Sequence, residues 1–222
     1  WDIDPSMKAA IRDGLLVGPR IVAGSREVIT SADSNDTIPW WYESTALSGV
    51  RISNGPDEFR RAVRQEIKRG ADIIKLFASG GHGVSLPKDV SAATVEELAA
   101  ASEAAHRLGK RTRAHTASKR GIFNCIEADI DVVDHGDGLD EECIDAMVET
   151  GKILVPSLFA EVRLLPLLPE GSPKHLDLVE NIREMNRHPF SRSRERVADL
   201  RPRRLRHCHC ASRLLRTGAA DV

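Results

Sequence analysis

Between Asp57 and Pro156 one pattern repeats: an amphipathic helical stretch, a glycine or short turn, a buried apolar run of strand type, then a polar loop. Phe59, Val63 and Ile67 share a face of a helix that Asp57 opens and Gly70 closes. Thr94-Val95-Glu96-Glu97 has the form of a capping box, and the helix it starts places Val95, Leu98, Ala101, Ala105 and Leu108 inward before Gly109. Helices over 118–128 and 140–150 follow, the second with Ile144 and Met147 inward. Strands are expected over 72–77, 111–115 and 131–135 and at Ile153-Leu154-Val155-Pro156. Regular alternation of this kind predicts a parallel sheet with crossover helices, by far most often right-handed. Polar residues at successive strand ends, Lys75, His115, His135 and Ser157, favour a closed (β/α) barrel over an open sheet. A barrel points all its strand ends at one mouth. No GxGxxG follows a strand, which argues against dinucleotide binding.

Both ends of the chain depart from this pattern. A helix is expected over 6–13, with Met7, Ala10 and Ile11 at helical spacing and Gly14 as its stop. Pro19 to Gly24 reads as a short buried strand, and 25–55 as a long irregular loop. That loop carries Trp40-Trp41-Tyr42, rings that either fold over a pocket or anchor the loop to the core. Strands near 21, 73, 112, 132 and 153 make about five of the eight strand-helix units of a TIM-type barrel. After Asn186 the alternation stops. Nine arginines, from Arg192 to Arg216, then dominate with almost no apolar periodicity. The expected organisation is a partial barrel domain over 1–190 and an Arg-rich tail over 191–222 that is either outside the fold's natural reading frame or disordered. A chain that starts at Trp1 is expected to be processed, trimmed or partial.

Composition narrows the function classes. With 41% hydrophobic and 29% charged residues the chain is of ordinary globular type, so disorder is not its default. A formal net charge of -1 gives no electrostatic case for nucleic acid or an anionic membrane. No apolar run approaches the ~18 to 20 residues that cross a bilayer, and no signal core opens the chain, so a cytoplasmic location is expected. Cys125, Cys143, Cys208 and Cys210 lack framework spacing and are expected to be reduced. His207-Cys208-His209-Cys210 is too short a segment to close a tetrahedral metal site by itself.

The chemistry concentrates at strand ends. Ile73-Ile74-Lys75-Leu76-Phe77 empties into a glycine-rich loop, placing Lys75 near the carboxyl end of a buried strand, where α/β enzymes keep their reactive groups. A buried ammonium is costly, so Lys75 is expected to be ion-paired, deprotonated, modified or bound to something. His115 and His135, from adjacent strand ends, can converge on one metal ion. A free lysine amine is a poor third ligand. Carbon dioxide would convert it to a carbamate with two oxygens able to bridge two cations, and that donor set suits zinc or its neighbours. His82, in the loop from Gly80 to Gly83, is a candidate substrate contact. His106 reads as a surface residue. Asp134 precedes His135 and by strand alternation points to the opposite face, a structural or supporting role.

These segments resemble a known family. Ile73 to Gly81, then Arg113-Ala114-His115, then Val132-Val133-Asp134-His135-Gly136 look like the fourth, fifth and sixth strand ends of the amidohydrolase superfamily, in its prolidase-like branch related to imidazolonepropionase. Gly18-Pro19-Arg20 resembles the entry to that family's third strand, and the likeness runs from about Trp1 to about Asn186. The resemblance implies a metal-dependent hydrolase of amide or dipeptide-like C–N bonds in small substrates. It also implies one or two zinc ions, a carboxylated Lys75 as bridge, and His115 and His135 as ligands of one ion. The family's His-x-His pair has no counterpart upstream of Lys75, and its strand-eight aspartate has none in strand context, so this chain alone is expected to be inactive. Two other readings stay open: a Schiff-base lyase or aldolase acting through Lys75, and a catalytically dead fragment binding at most one metal. No nucleic-acid or membrane partner is expected, and a homo-oligomer is compatible with the sequence.

Overall fold

A computed structural model describes residues 3–37, 39, 41, 49–81, 86–157 and 162–187. The chain divides into two compact units, Trp1–His188 and Pro189–Val222, and every described residue lies in the first. The Arg-rich tail with Cys208 and Cys210, the rings of Trp40 and Tyr42, and His82 lie outside the described residues.

Helix α1 (Ile3–Arg12) precedes strand β1 (Gly24–Ile29), and a short strand β2 (Val50–Ile52) follows. Helix α2 (Pro56–Lys68), strand β3 (Ile73–Phe77), helix α3 (Val95–His106), strand β4 (Arg111–Thr116) and helix α4 (Lys119–Glu127) come next. Strand β5 (Val132–His135), helix α5 (Glu141–Thr150), strand β6 (Ile153–Val155), a single 3-10 turn (Leu165–Leu167) and helix α6 (Pro173–Arg187) complete the described chain. The strands form one parallel sheet in the order β2-β1-β3-β4-β5-β6.

The helices form where their ends are satisfied. Thr94 and Glu97 make the expected reciprocal capping box at α3, Ser118 and Asp140 cap α4 and α5 through their side chains, and Gly151 closes α5 in the left-handed region. One face of the sheet is apolar: Val28, Ile74, Leu76, Ala114 and Val133 are buried in one core with Phe59 and Val63 of α2, Leu98 and the alanines of α3, Ile122 of α4 and Met147 of α5. The other face carries Glu27, Lys75, Phe77, Arg113, His115 and Asp134, and register aligns them in layers. Glu27 pairs with Lys75, Lys75 with Arg113, Phe77 with His115, and His115 with Asp134.

The N-terminal third corrects the sequence expectation. The strand expected over 19–24 runs instead over Gly24–Ile29, and the expected loop contains both most of that strand and β2. Among the described residues six strands are therefore present where five are expected. Polarity hides β1 in the sequence: Ser25, Arg26 and Glu27 do not read as strand. Arg26 is nevertheless 5% exposed, because its guanidinium reaches Glu66 of α2 at 2.6 Å. Its backbone N–H donates to the other oxygen of the same carboxylate at 3.1 Å. Leu108, placed inward by spacing, is 51% exposed, since α3 ends two residues earlier.

Candidate active site

Lys75, on β3, faces the polar side of the sheet. Its backbone N–H donates to Ser25 Oγ at 2.9 Å, and its Nζ donates to Asp134 Oδ2 at 2.7 Å. Burial lowers the Lys75 pKa and Arg113 adds to that, while Asp134 opposes both. Asp134 is almost wholly enclosed, its side chain 2% exposed. Arg113 grips it with both arms, Nε to Oδ2 and Nη2 to Oδ1, each at 2.9 Å. The result is one carboxylate shared by two cations across three neighbouring strands.

His115 is buried, and its Nε2 lies 3.0 Å from the carbonyl oxygen of Gly80. A carbonyl only accepts, so Nε2 carries the proton and, in the neutral ring, Nδ1 carries the lone pair. Gly80 permits this approach. A Cβ there would meet Leu86 O at 2.3 Å and Pro87 O at 2.5 Å, so only glycine lets the returning loop pack over the strand end. Phe77 stacks on His115 with ring centroids 4.9 Å apart, and Lys75 Nζ sits 5.1 Å from the Phe77 centroid.

His135 reaches the same place by an unusual route. Strict alternation would turn it away from Asp134, toward the helices. Its backbone instead adopts φ 68, left-handed for a non-glycine residue. The ring then swings back to meet His115 edge-on, centroids 4.8 Å apart, while Nδ1 lies 2.6 Å from Ser157 Oγ just past β6. This corrects the expected placement of Asp134: it shares a face with Lys75 and His115, and His135 joins them through its bent backbone. His106 also departs from expectation. Half-buried at the end of α3, it lies 2.9 Å from Asp131 Oδ2, at the opposite end of the sheet from His115.

The residues present fit a divalent ion in donor chemistry. Two imidazoles meet at adjacent strand ends, each with one ring nitrogen oriented by an oxygen partner, as metal-binding histidines commonly are. Among the described residues no three His, Cys, Asp or Glu side chains cluster as a complete ligand set, so the pair alone would make only part of one. Lys75 stands on the same face one layer earlier, beside Arg113, and is engaged with Asp134. Ser157, Phe77, Arg113 and the Gly80 carbonyl complete the surroundings. Of these the sequence marks Ser157 as a polar strand end, and Phe77, Gly80 and Arg113 only as members of the motifs around Lys75 and His115. A separate cleft of about 630 Å³, lined by Ile11, Pro19, Ile21, Val22 and Asp72 among others, lies at the N-terminal end of the strands. No helix among the described residues is long and apolar enough to cross a membrane.

Comparison with known proteins agrees with this architecture. The sequence profile of the Amidohydrolase family matches residues 3–222. Ochratoxinase of Aspergillus niger is 32% identical over 165 residues, covering 66% of this chain and 34% of the relative. The crystal structure of A. niger ochratoxinase superposes with a TM-score of 0.73 at 26% identity, over 82% of this chain and 45% of that one. A Xaa-Pro dipeptidase with methionine bound in its active site gives a TM-score of 0.69 at 31% identity, over 82% of this chain and 48% of that one. The chain thus spans about a third of the length of this curated relative and just under half of these solved structures.

Proposed function

Because the chain belongs to the amidohydrolase family, we propose that Lys75, His115 and His135 form part of a metal-dependent centre for hydrolysing a C–N bond in a small amide or dipeptide-like substrate. The observation that carries this reading is the convergence of His115 and His135, 4.8 Å apart, at the expense of a left-handed backbone at His135. Backbone strain of this kind persists where the surroundings impose it, and it concentrates at functional sites. Amide cleavage by relatives such as the Xaa-Pro dipeptidase supports the choice of bond.

In this proposal His115 and His135 hold a divalent ion of the zinc kind, and a carboxylated Lys75 adds an oxygen ligand. When bound, the ion supplies an activated water and polarises the scissile carbonyl. Gly80 and Ser157 hold the two rings in orientation through Nε2 of His115 and Nδ1 of His135. Phe77 covers one face of His115 and excludes water from it. Turnover is assigned to a complete centre that also has a His-x-His pair and a strand-eight aspartate. Metal retention is assigned to this chain.

Elemental analysis of the purified chain, prepared with zinc and bicarbonate, tests the reading. About one zinc per folded chain is expected, and His115→Ala or His135→Ala should each lower that content about tenfold or more, as loss of a direct ligand does. Zinc content unchanged in both variants would refute the assignment. Trapping of Lys75 by borohydride with a carbonyl compound, in metal-free chain, would favour Schiff-base chemistry in its place.

A further inference from the structure

The proposed centre leaves one arrangement unexplained: why a buried lysine at the site should share its carboxylate with an arginine. Asp134 accepts from Lys75 Nζ at 2.7 Å and from Arg113 Nε and Nη2 at 2.9 Å each. The three side chains come from adjacent strands, with Lys75 and Arg113 in one layer of the sheet and Asp134 in the next, beside His115. A simple ion pair between Lys75 and Asp134 would need no third member. With Arg113 present the group carries one net positive charge.

We propose that Arg113 and Asp134 are positioning residues that hold Lys75 for carboxylation and then orient the product. This inference rests on the reading of Lys75 as a metal-bridging residue. Carboxylation forms one N–C bond between the neutral Lys75 nitrogen and carbon dioxide. Starting from the ammonium, two protons leave to solvent, so three N–H bonds become one. Asp134 is placed to accept that remaining N–H, which fixes the plane of the new group and turns both its oxygens away from the Asp134 carboxylate. The modification also places a second anion beside a buried one. Arg113, bidentate on Asp134, cancels the older charge and makes the pair tolerable. With Arg113 the modified group carries one net negative charge, and without it two.

The test is carbamate occupancy, read by carbon-13 NMR on the full chain equilibrated with zinc and ¹³C-bicarbonate, with folding checked by circular dichroism. One carbamate per unmodified chain is expected, absent in Lys75→Arg. Arg113→Met should lower occupancy about tenfold at limiting bicarbonate, and Arg113→Lys, which keeps the charge, should recover most of it. The Arg113 side chain is 41% exposed, so its truncation is compatible with folding. On an Asp134→Asn background there is no charge to cancel, and Arg113→Met should then change occupancy less than about twofold, the coupling expected of interacting residues. Full occupancy in folded Arg113→Met would overturn the positioning role while leaving the metal-centre reading intact. An undiminished tenfold loss on the Asp134→Asn background would overturn the charge-cancelling role. Absence of carbamate in the unmodified chain would overturn both the inference and the bridging role on which it rests.

Discussion

At the scale of single residues, ionisable groups are held in place by specific partners, and their pH dependence follows. Burial pushes the Asp33 carboxyl up to about 6, in a turn where its Oδ1 accepts from the Ser34 N–H. A folded-state value above the unfolded one means that ionisation opposes folding, so stability falls as pH rises from about 4 to about 6. Asp33→Asn is therefore expected to stabilise the chain at pH 7 by up to roughly 3 kcal/mol and to change it little at pH 4. Asp72 has the opposite sign. Burial alone would raise it, but hydrogen bonds from Lys110 and Lys8 outweigh burial and hold it at about 2. Its contribution is present above pH 4 and is lost as pH falls through 2. Chemical denaturation of both Asn variants across pH 2 to 8 checks the pair, and the same pH slope in each variant as in the parent would contradict these assignments.

At the scale of elements, the buried link between β1 and α2 is the sharpest case. Arg26 and Glu66 are 5% and 3% exposed and pair at 2.6 Å. Removing one partner strands the other charge, so Glu66→Ala should cost about 3 to 5 kcal/mol, while replacing both by apolar residues of similar volume should restore much of it. Urea denaturation of the single and double variants distinguishes a needed ion pair from mere packing. The same pair shows where sequence stops being informative. Strands β3, β5 and β6 are legible because Ile73, Ile74, Val132, Val133, Ile153 and Leu154 make apolar runs, β4 because it follows a helix that stops at Gly109, and α2 to α5 because cap residues and helical spacing agree. Strand β1 is not, because a polar residue buried by a partner 40 positions away leaves no local signature. The site divides in the same way. Lys75 stands out as a charge inside an apolar run, and His115 and His135 as polar groups at strand ends. Whether Asp134 and His135 share a side depends on the φ of His135, which composition does not encode.

At the scale of the described sheet, β2 and β6 are its two edges, and β6 exposes Ile153 and Val155 at 45% and 44%. Exposed apolar edge strands invite pairing with other chains. Val155→Lys, on that edge, is expected to reduce self-association measured by sedimentation velocity without loss of helical content. Unchanged self-association would move the adhesive surface elsewhere, for instance to Leu15, Leu16 and Val17 after α1, which are 78%, 50% and 107% exposed.

The junction of Lys75, Arg113 and Asp134 also bears on how the chain reaches its structure in time. Lys75 and Asp134 lie 59 positions apart, and Lys75 gains this carboxylate partner only when β3 has joined β4 and β5. Before then β3 is an apolar hairpin-less segment with a solvated ammonium in its middle, reluctant to dehydrate. Distant pairings of this sort are entropically late. The chemistry-bearing layer thus acts as a lock turned after the helical face has condensed. Substitutions at Lys75 should quicken unfolding far more than they slow refolding.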